Sequence, residues 1–150
     1  MASAAATNLI LLSAFTLFEA LTIGPVVAFS EQRVVMQAFI ITTLVFFGLT
    51  IFTFQSRYDF SSMGGYLFAG LMALFVTLIL GLFIPYSRTV DMLIAGFGCL
   101  IFAAYIVYDT HLILHRLHPD EWVMACISLY LDLLNLFLMV LRLLSNVNDR

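Results

Sequence analysis

WVMACISLYLDLLNLFLMVLRLL, residues Trp122–Leu144, is long and apolar enough to cross a bilayer, yet it holds Asp132 near its middle. A hydrocarbon core of about 30 Å takes ~20 helical residues at ~1.5 Å each. An aspartate at that depth costs about 2.5–3.5 kcal/mol on insertion scales, so it is expected to face the protein interior, water or a partner. At ~100° per residue, Glu121, Ser128, Asp132, Asn135 and Arg142 fall in one stripe, with Leu131, Leu133, Leu134 and Phe137 away from it. Such a stripe is either the inner wall of a site or polar glue between packed helices. A carboxylate is a poorer glue than Asn or Ser, which favours the site.

The composition agrees with a membrane setting. Of 150 residues, 63% are hydrophobic and only 10% charged, whereas soluble domains carry about 25% charged residues. The chain therefore reads as an all-α integral membrane protein, a single transmembrane domain over residues 1–150 with the lipid bilayer as its first partner. The formal charge of −3 is small and dispersed, and Arg33, Arg57, Arg88, Arg116, Arg142 and Arg150 form no basic patch, so no nucleic-acid partner is expected. Cys99 and Cys126 lie inside apolar runs, where they act as small hydrophobes rather than as a disulfide framework. The start, MASAAATN, has no positive region and no small-residue cleavage site. The first apolar run is expected to stay in place as a signal anchor.

Five apolar runs follow one another: Leu9–Phe29, Val34–Phe54, Tyr66–Ile84, Met92–Leu114 and Trp122–Leu144. Barrel strands would alternate apolar and polar residues; these runs are apolar all round, so they predict helices. The expected architecture is a bundle of about five transmembrane helices around the C-terminal one. Gly24-Pro25 in the first run predicts a kink or break. Ahead of it, Asn8, Thr16 and Thr22 each lie within about 60° of Glu19 round the helix, making Glu19 a second interior acid. Packing and functional readings of Glu19 weigh equally. Orientation is weakly encoded: with five spans, Arg33, Arg88, Arg142 and Arg150 stand against Arg57 and Arg116, favouring a cytosolic C-terminus. If the last run is instead a re-entrant hairpin, the split is again four against two. The arginines do not separate the two topologies.

Tyr108-Asp109 lies toward the end of the fourth run, and the link to the fifth holds His111, His115, His118 and then Pro119-Asp120-Glu121. Pro119 suits the first turn of a new helix, with the acids after it at its positive end. In the antiparallel hairpin that results, Asp132 lies about 20 Å from Pro119 and Asp109 about 9–14 Å back, so a bend or offset brings the carboxyls together. Two buried carboxyls in contact cannot easily both ionise; they share a proton and form a proton-sensitive latch.

Three chemistries fit. A cation pathway would use hard oxygen ligands that attract calcium as a permeant ion, held transiently at Asp109 and Asp132, with no bound cofactor. An aspartyl protease would use the same acids, but Leu-Tyr-Leu-Asp departs from the Gly-x-Gly-Asp setting of intramembrane proteases and no Pro-Ala-Leu follows, so enzyme activity is not expected. A metal site at His111, His115 and His118 would use their i, i+4, i+7 spacing. No acid falls on that face, which favours juxtamembrane histidines of a helix end.

The stretch YIVYDTHLILHRLHPDEWVMACISLYLDLLNLFLMVLRLL closely resembles the C-terminal signature of the Bax inhibitor (Lifeguard) membrane family. FTLFEALTIGPVV and QAFIITTLVFFGLTIFTFQSRYDFSSMG are most similar to its Golgi anti-apoptotic branch. The resemblance covers nearly the whole chain and rests on Tyr-Asp, an acid before the last span, and Leu-Tyr-Leu-Asp-x-x-Asn-Leu-Phe. It implies a bundle wrapped around its last helix, a pH-sensitive calcium leak through Golgi or endoplasmic reticulum membranes, and protection against cell death. The family's proton-sensing pair falls on Asp109 and Asp132, and Glu121 matches an acid linked to ion conduction, with Glu19, Asn135 and Ser128 in support. The resemblance also implies two spans ahead of the first run, so Met1–Asn8 reads as an alternative start or a partial gene model. The alternative function is a non-conducting regulator that binds other channels or death-pathway proteins in the membrane.

Overall fold

The computed structural model describes residues 2–29, 32–56, 63–81, 83–85, 87–115 and 119–148, with side chains for all of these except 2–6, 8, 22–23, 26–29, 119–122 and 148. Five helices account for nearly all of it: α1 (Ala2–Phe29), α2 (Gln32–Gln55), α3 (Gly64–Gly81), α4 (Arg88–His115) and α5 (Pro119–Asn148). Gln32–Gln55, Gly64–Gly81, Arg88–His115 and Val123–Val147 are each long and apolar enough to cross a membrane, while the described apolar stretch of α1 is Leu9–Leu21. The protein is a multi-pass membrane protein.

The helix ends follow from local chemistry. The Ser87 carbonyl accepts the Asp91 N–H at 2.9 Å and opens α4. Asp91 then sits in the first turn, where a carboxylate suits the positive end of the helix. Gly81 ends α3, and Pro85 stands just beyond it. Two alternatives left open by the sequence are decided here. The helix is not broken at Gly24-Pro25: α1 runs through Pro25 and ends four residues later at Phe29. Proline removes one backbone bond, but lipid offers no water to satisfy the others that a break would free. The last apolar run is one continuous helix rather than a re-entrant hairpin.

α5 lies at the centre. It packs against α4, α1 and α2; α4 in turn packs against α2 and α3, and α1 touches α3. The apolar window of α5 is 44% buried against 17%, 22% and 33% for those of α2, α3 and α4, so among these four described spans the C-terminal helix is the most enclosed. Leu136, Leu138, Met139, Val140 and Leu141 are all buried, which closes its second half on every side. Outer helices instead bury one stripe. On α3 this is Leu67, Leu71, Leu74 and Leu78, spaced i, i+4, i+7, i+11. Their remaining faces carry exposed apolar side chains such as Phe39, Leu44, Phe47, Leu93 and Leu100, suited to lipid. The α4–α5 seam is tight at Gly98, where a Cβ would lie 2.7 Å from Met139 Sδ. Between α1, α3 and α4, Phe15 meets Phe75 edge-on at 5.9 Å and Phe102 at 5.3 Å.

Candidate functional site

The polar stripe of α5 faces inward along its whole described length. Ser128, Asp132, Asn135, Arg142 and, continuing the same line, Asn146 are all buried, with Asp132 and Asn135 at 0% exposure. Their partners come from α1 and α4 and fall into three levels.

The first level is the acid pair. Asp109, 2% exposed, comes from α4 and Asp132 from α5. Their carboxyls lie within hydrogen-bonding contact of each other, and Ser128 Oγ donates to Asp109 Oδ2 at 2.8 Å. Among the described residues no N–H or O–H group reaches either oxygen of Asp132. Two carboxylates are acceptors only, so a proton between them is what turns the contact into a hydrogen bond. Tyr105, one turn before Asp109 and 1% exposed, lies near both charges. The hairpin geometry expected from the sequence is thus present: the two acids meet, and Ser128 joins them.

The second level ties α5 to α1. Asn135 Nδ2 donates to Thr16 Oγ1 at 2.6 Å and to the Leu131 carbonyl at 2.9 Å. Thr16 Oγ1 passes its own proton back to the Leu12 carbonyl at 2.7 Å.

The third level is ionic. Arg142 Nη2 meets Glu19 Oε1 at 2.8 Å, a close charge pair whose angle falls short of a full hydrogen bond. Arg142 Nη1 donates to Asp91 Oδ1, also at 2.8 Å. Asn146 Nδ2 donates to Asp91 Oδ2 and to the Arg142 carbonyl, and Arg88 Nε donates to the Asn146 carbonyl at 2.8 Å. The two carboxylates of this cluster are matched by two guanidinium groups. Ten residues separate Arg142 from Asp132, about 15 Å along the helix. Glu19 therefore belongs to a different level from the acid pair.

Of the residues singled out from sequence, Asp109, Asp132 and Ser128 come together, Asn135 stands one turn away, and Glu19 is at the far end. The Glu121 side chain lies outside the described residues, as do those of Asn8 and Thr22. His111 and His115 meet with ring centroids 4.3 Å apart; His118 lies outside the described residues. Among the described residues, no three His, Cys, Asp or Glu side chains converge on one point. Asp91, Arg88 and Asn146 were not singled out by the sequence reading. Asn146 had a signal, since it sits four residues beyond Arg142 on the same stripe. Asp91 reads from sequence as an ordinary helix-start acid.

The family profile described as inhibitor of apoptosis-promoting Bax1 matches residues 1–149. The chain is 50% identical over 143 residues to Protein lifeguard 4 of Mus musculus, covering 95% of this chain and 60% of that protein. It is 48% identical over 143 residues to the Golgi anti-apoptotic protein of vaccinia virus (strain Lister), with the same two coverages. Against Bax inhibitor 1 of Schizosaccharomyces pombe it is 45% identical over 142 residues, 95% of this chain and 53% of that protein. The chain thus spans between 53% and 60% of the length of these relatives.

Proposed function

Since the chain belongs to the Bax1-I family of inhibitors of apoptosis-promoting Bax1, we propose that it suppresses cell death as a pH-sensitive calcium leak in Golgi or endoplasmic reticulum membranes. The observation that carries this reading is the contact of Asp109 and Asp132 between α4 and α5, buried in the bundle. With one shared proton the pair carries a single negative charge and binds α4 to α5. With that proton gone it carries two, which repel and at the same time form a hard-oxygen seat for calcium. At an effective dielectric of ~20 and a separation of ~4 Å the repulsion is about 4 kcal/mol. Taking a two-state gate from 1:99 to 99:1 needs about 5.5 kcal/mol. The pair supplies most of the switch, and calcium binding to the open form supplies the remainder. Glu121, the acid that the family resemblance links to ion conduction, is included in the proposed path on that resemblance alone. Support for the cellular role comes from relatives whose names include Golgi anti-apoptotic protein and Bax inhibitor 1.

A second reading has its own support. Asp132 is 0% exposed, as expected if the pair is a dry lock in a non-conducting regulator that binds other channels or death-pathway proteins. One experiment separates the two: calcium flux against pH in liposomes containing only this protein, beside an Asp109→Asn/Asp132→Asn double variant. The leak requires flux that rises with pH in the parent and is lost in the double variant. No flux above that of protein-free liposomes at any pH would leave the regulator, while equal flux with an equal pH midpoint in both would reduce the acids to packing residues.

A further inference from the structure

The last turn of α4 carries a side-chain pair that the acid site does not use. His111 and His115 are one turn apart, with ring centroids at 4.3 Å and planes inclined by 44°. His111 is buried and His115 is exposed, so one ring is held by the bundle and the other stands outside it. Asp109, two residues before His111, points about 200° round the helix. The histidines therefore face a different side of α4 from the acid pair.

We propose that His111 and His115 form a two-imidazole seat for a first-row transition-metal dication of the zinc class, at the membrane end of α4. Zinc–nitrogen bonds of about 2.0–2.1 Å in tetrahedral geometry place two ligand nitrogens about 3.3 Å apart. The rings are already neighbours, with centroids 4.3 Å apart, and a rotamer change of the exposed His115 is what would bring its nitrogen to that spacing. Histidines at i and i+4 on one helical face are the spacing by which HExxH helices hold zinc. His115 is the final residue of α4, so the ion would sit at the negative end of the helix dipole, which favours a cation. Imidazole suits zinc, copper and nickel, while calcium and magnesium prefer oxygen, so this seat is chemically distinct from a calcium path through the carboxylates. Two protein ligands leave the remaining positions to water, as in an exchangeable site rather than a closed structural one. A bound ion would clip the last turn of the helix that carries Asp109.

The test is a zinc chloride titration of the full chain, purified in detergent without a histidine tag and in a His118→Gln background, so that only the described pair supplies imidazoles. A competing zinc dye reads the affinity. One ion per chain is expected, with His111→Gln and His115→Gln each weakening binding by about tenfold or more. His111→Gln alters a buried position, so the exposed His115→Gln keeps the test independent of folding. His115→Cys, which returns a ligand to the same place, should restore zinc binding. Millimolar calcium chloride should not displace the ion. Absence of stoichiometric binding in the His118→Gln background, or binding unchanged by His115→Gln, would overturn the site.

Discussion

Arg142 and Glu19, 123 positions apart in the chain, meet at 2.8 Å across the α1–α5 boundary, with the Glu19 side chain at 0% exposure. Asp91 shares the same guanidinium. One arginine therefore joins α1, α4 and α5 at the end of the bundle opposite the acid pair.

Removing the arginine alone should be costly. Arg142→Met leaves Glu19 buried without its cation, and breaking one half of a buried pair typically costs about 3–5 kcal/mol. Adding Glu19→Gln should return much of that loss, because the orphaned charge is then gone. Detergent unfolding of the single and double variants measures both effects. A double variant as unstable as Arg142→Met would show that the guanidinium acts through Asp91 and not through Glu19.

The two aspartates should fail differently. Asp132→Asn removes the charge that attracts calcium and should lower flux at every pH. Asp109→Asn leaves Asp132 but abolishes the like-charge repulsion, so the response to pH should flatten while some conduction remains. The direction is set by the proton: raising pH removes it, doubles the pair's negative charge, and opens the α4–α5 contact. Flux in liposomes from pH 5 to pH 8 reads both variants against the parent. Parent-like curves for the two would reduce the acids to packing residues.

The Asn135–Thr16 bond should be a modest one. Double-mutant cycles in membrane helices average about 0.6 kcal/mol per hydrogen bond, with a maximum of about 1.7. A cycle of Asn135→Ala and Thr16→Ala is expected to give coupling in that range. Zero coupling would mean that the 2.6 Å contact is matched by equally good partners in the unfolded chain.

At the α4–α5 seam, Gly98→Ala pushes a methyl group against Met139 and should destabilise the bundle by about 1–3 kcal/mol. Met139→Val in the same chain shortens the opposing side chain and should recover part of the loss. A thermal melt of Gly98→Ala equal to that of the parent would show that Met139 swings aside freely.

The course of α5 was readable in advance because a helix turns a linear pattern into a face: Ser128, Asp132, Asn135 and Arg142 all point inward as their spacing requires. The meeting of Asp109 with Asp132 was also within reach, since a short hairpin ties their depths together. Glu19 was harder. Its partner lies on the last helix in sequence, and no local spacing reports which of the bundle's neighbours α1 will face. Asp91 was hidden by a competing explanation, because an acid in a first helical turn already has a reason to be there. Pro25 left a kink and a break open, and only the break is excluded by the continuous helix. Proline's local preference is calibrated in water, whereas a helix in lipid keeps its backbone bonds where it can.

The shortness of α3 has a consequence for where such a protein is comfortable. Its 18 residues span about 27 Å, the thickness of an endoplasmic reticulum bilayer, while sterol-rich plasma membrane is about 32–33 Å. α3 is packed through its leucine stripe and Phe75, contacts that fix its position but add nothing to its length. In a thick bilayer its ends would sink below the headgroups or the lipid around it would have to thin. Hydrophobic mismatch of this kind sorts proteins among membranes, and here it disfavours passage to the cell surface. Melting in vesicles of graded acyl-chain length should accordingly peak at the shorter chains, and a peak at plasma-membrane thickness would remove mismatch as a retention force.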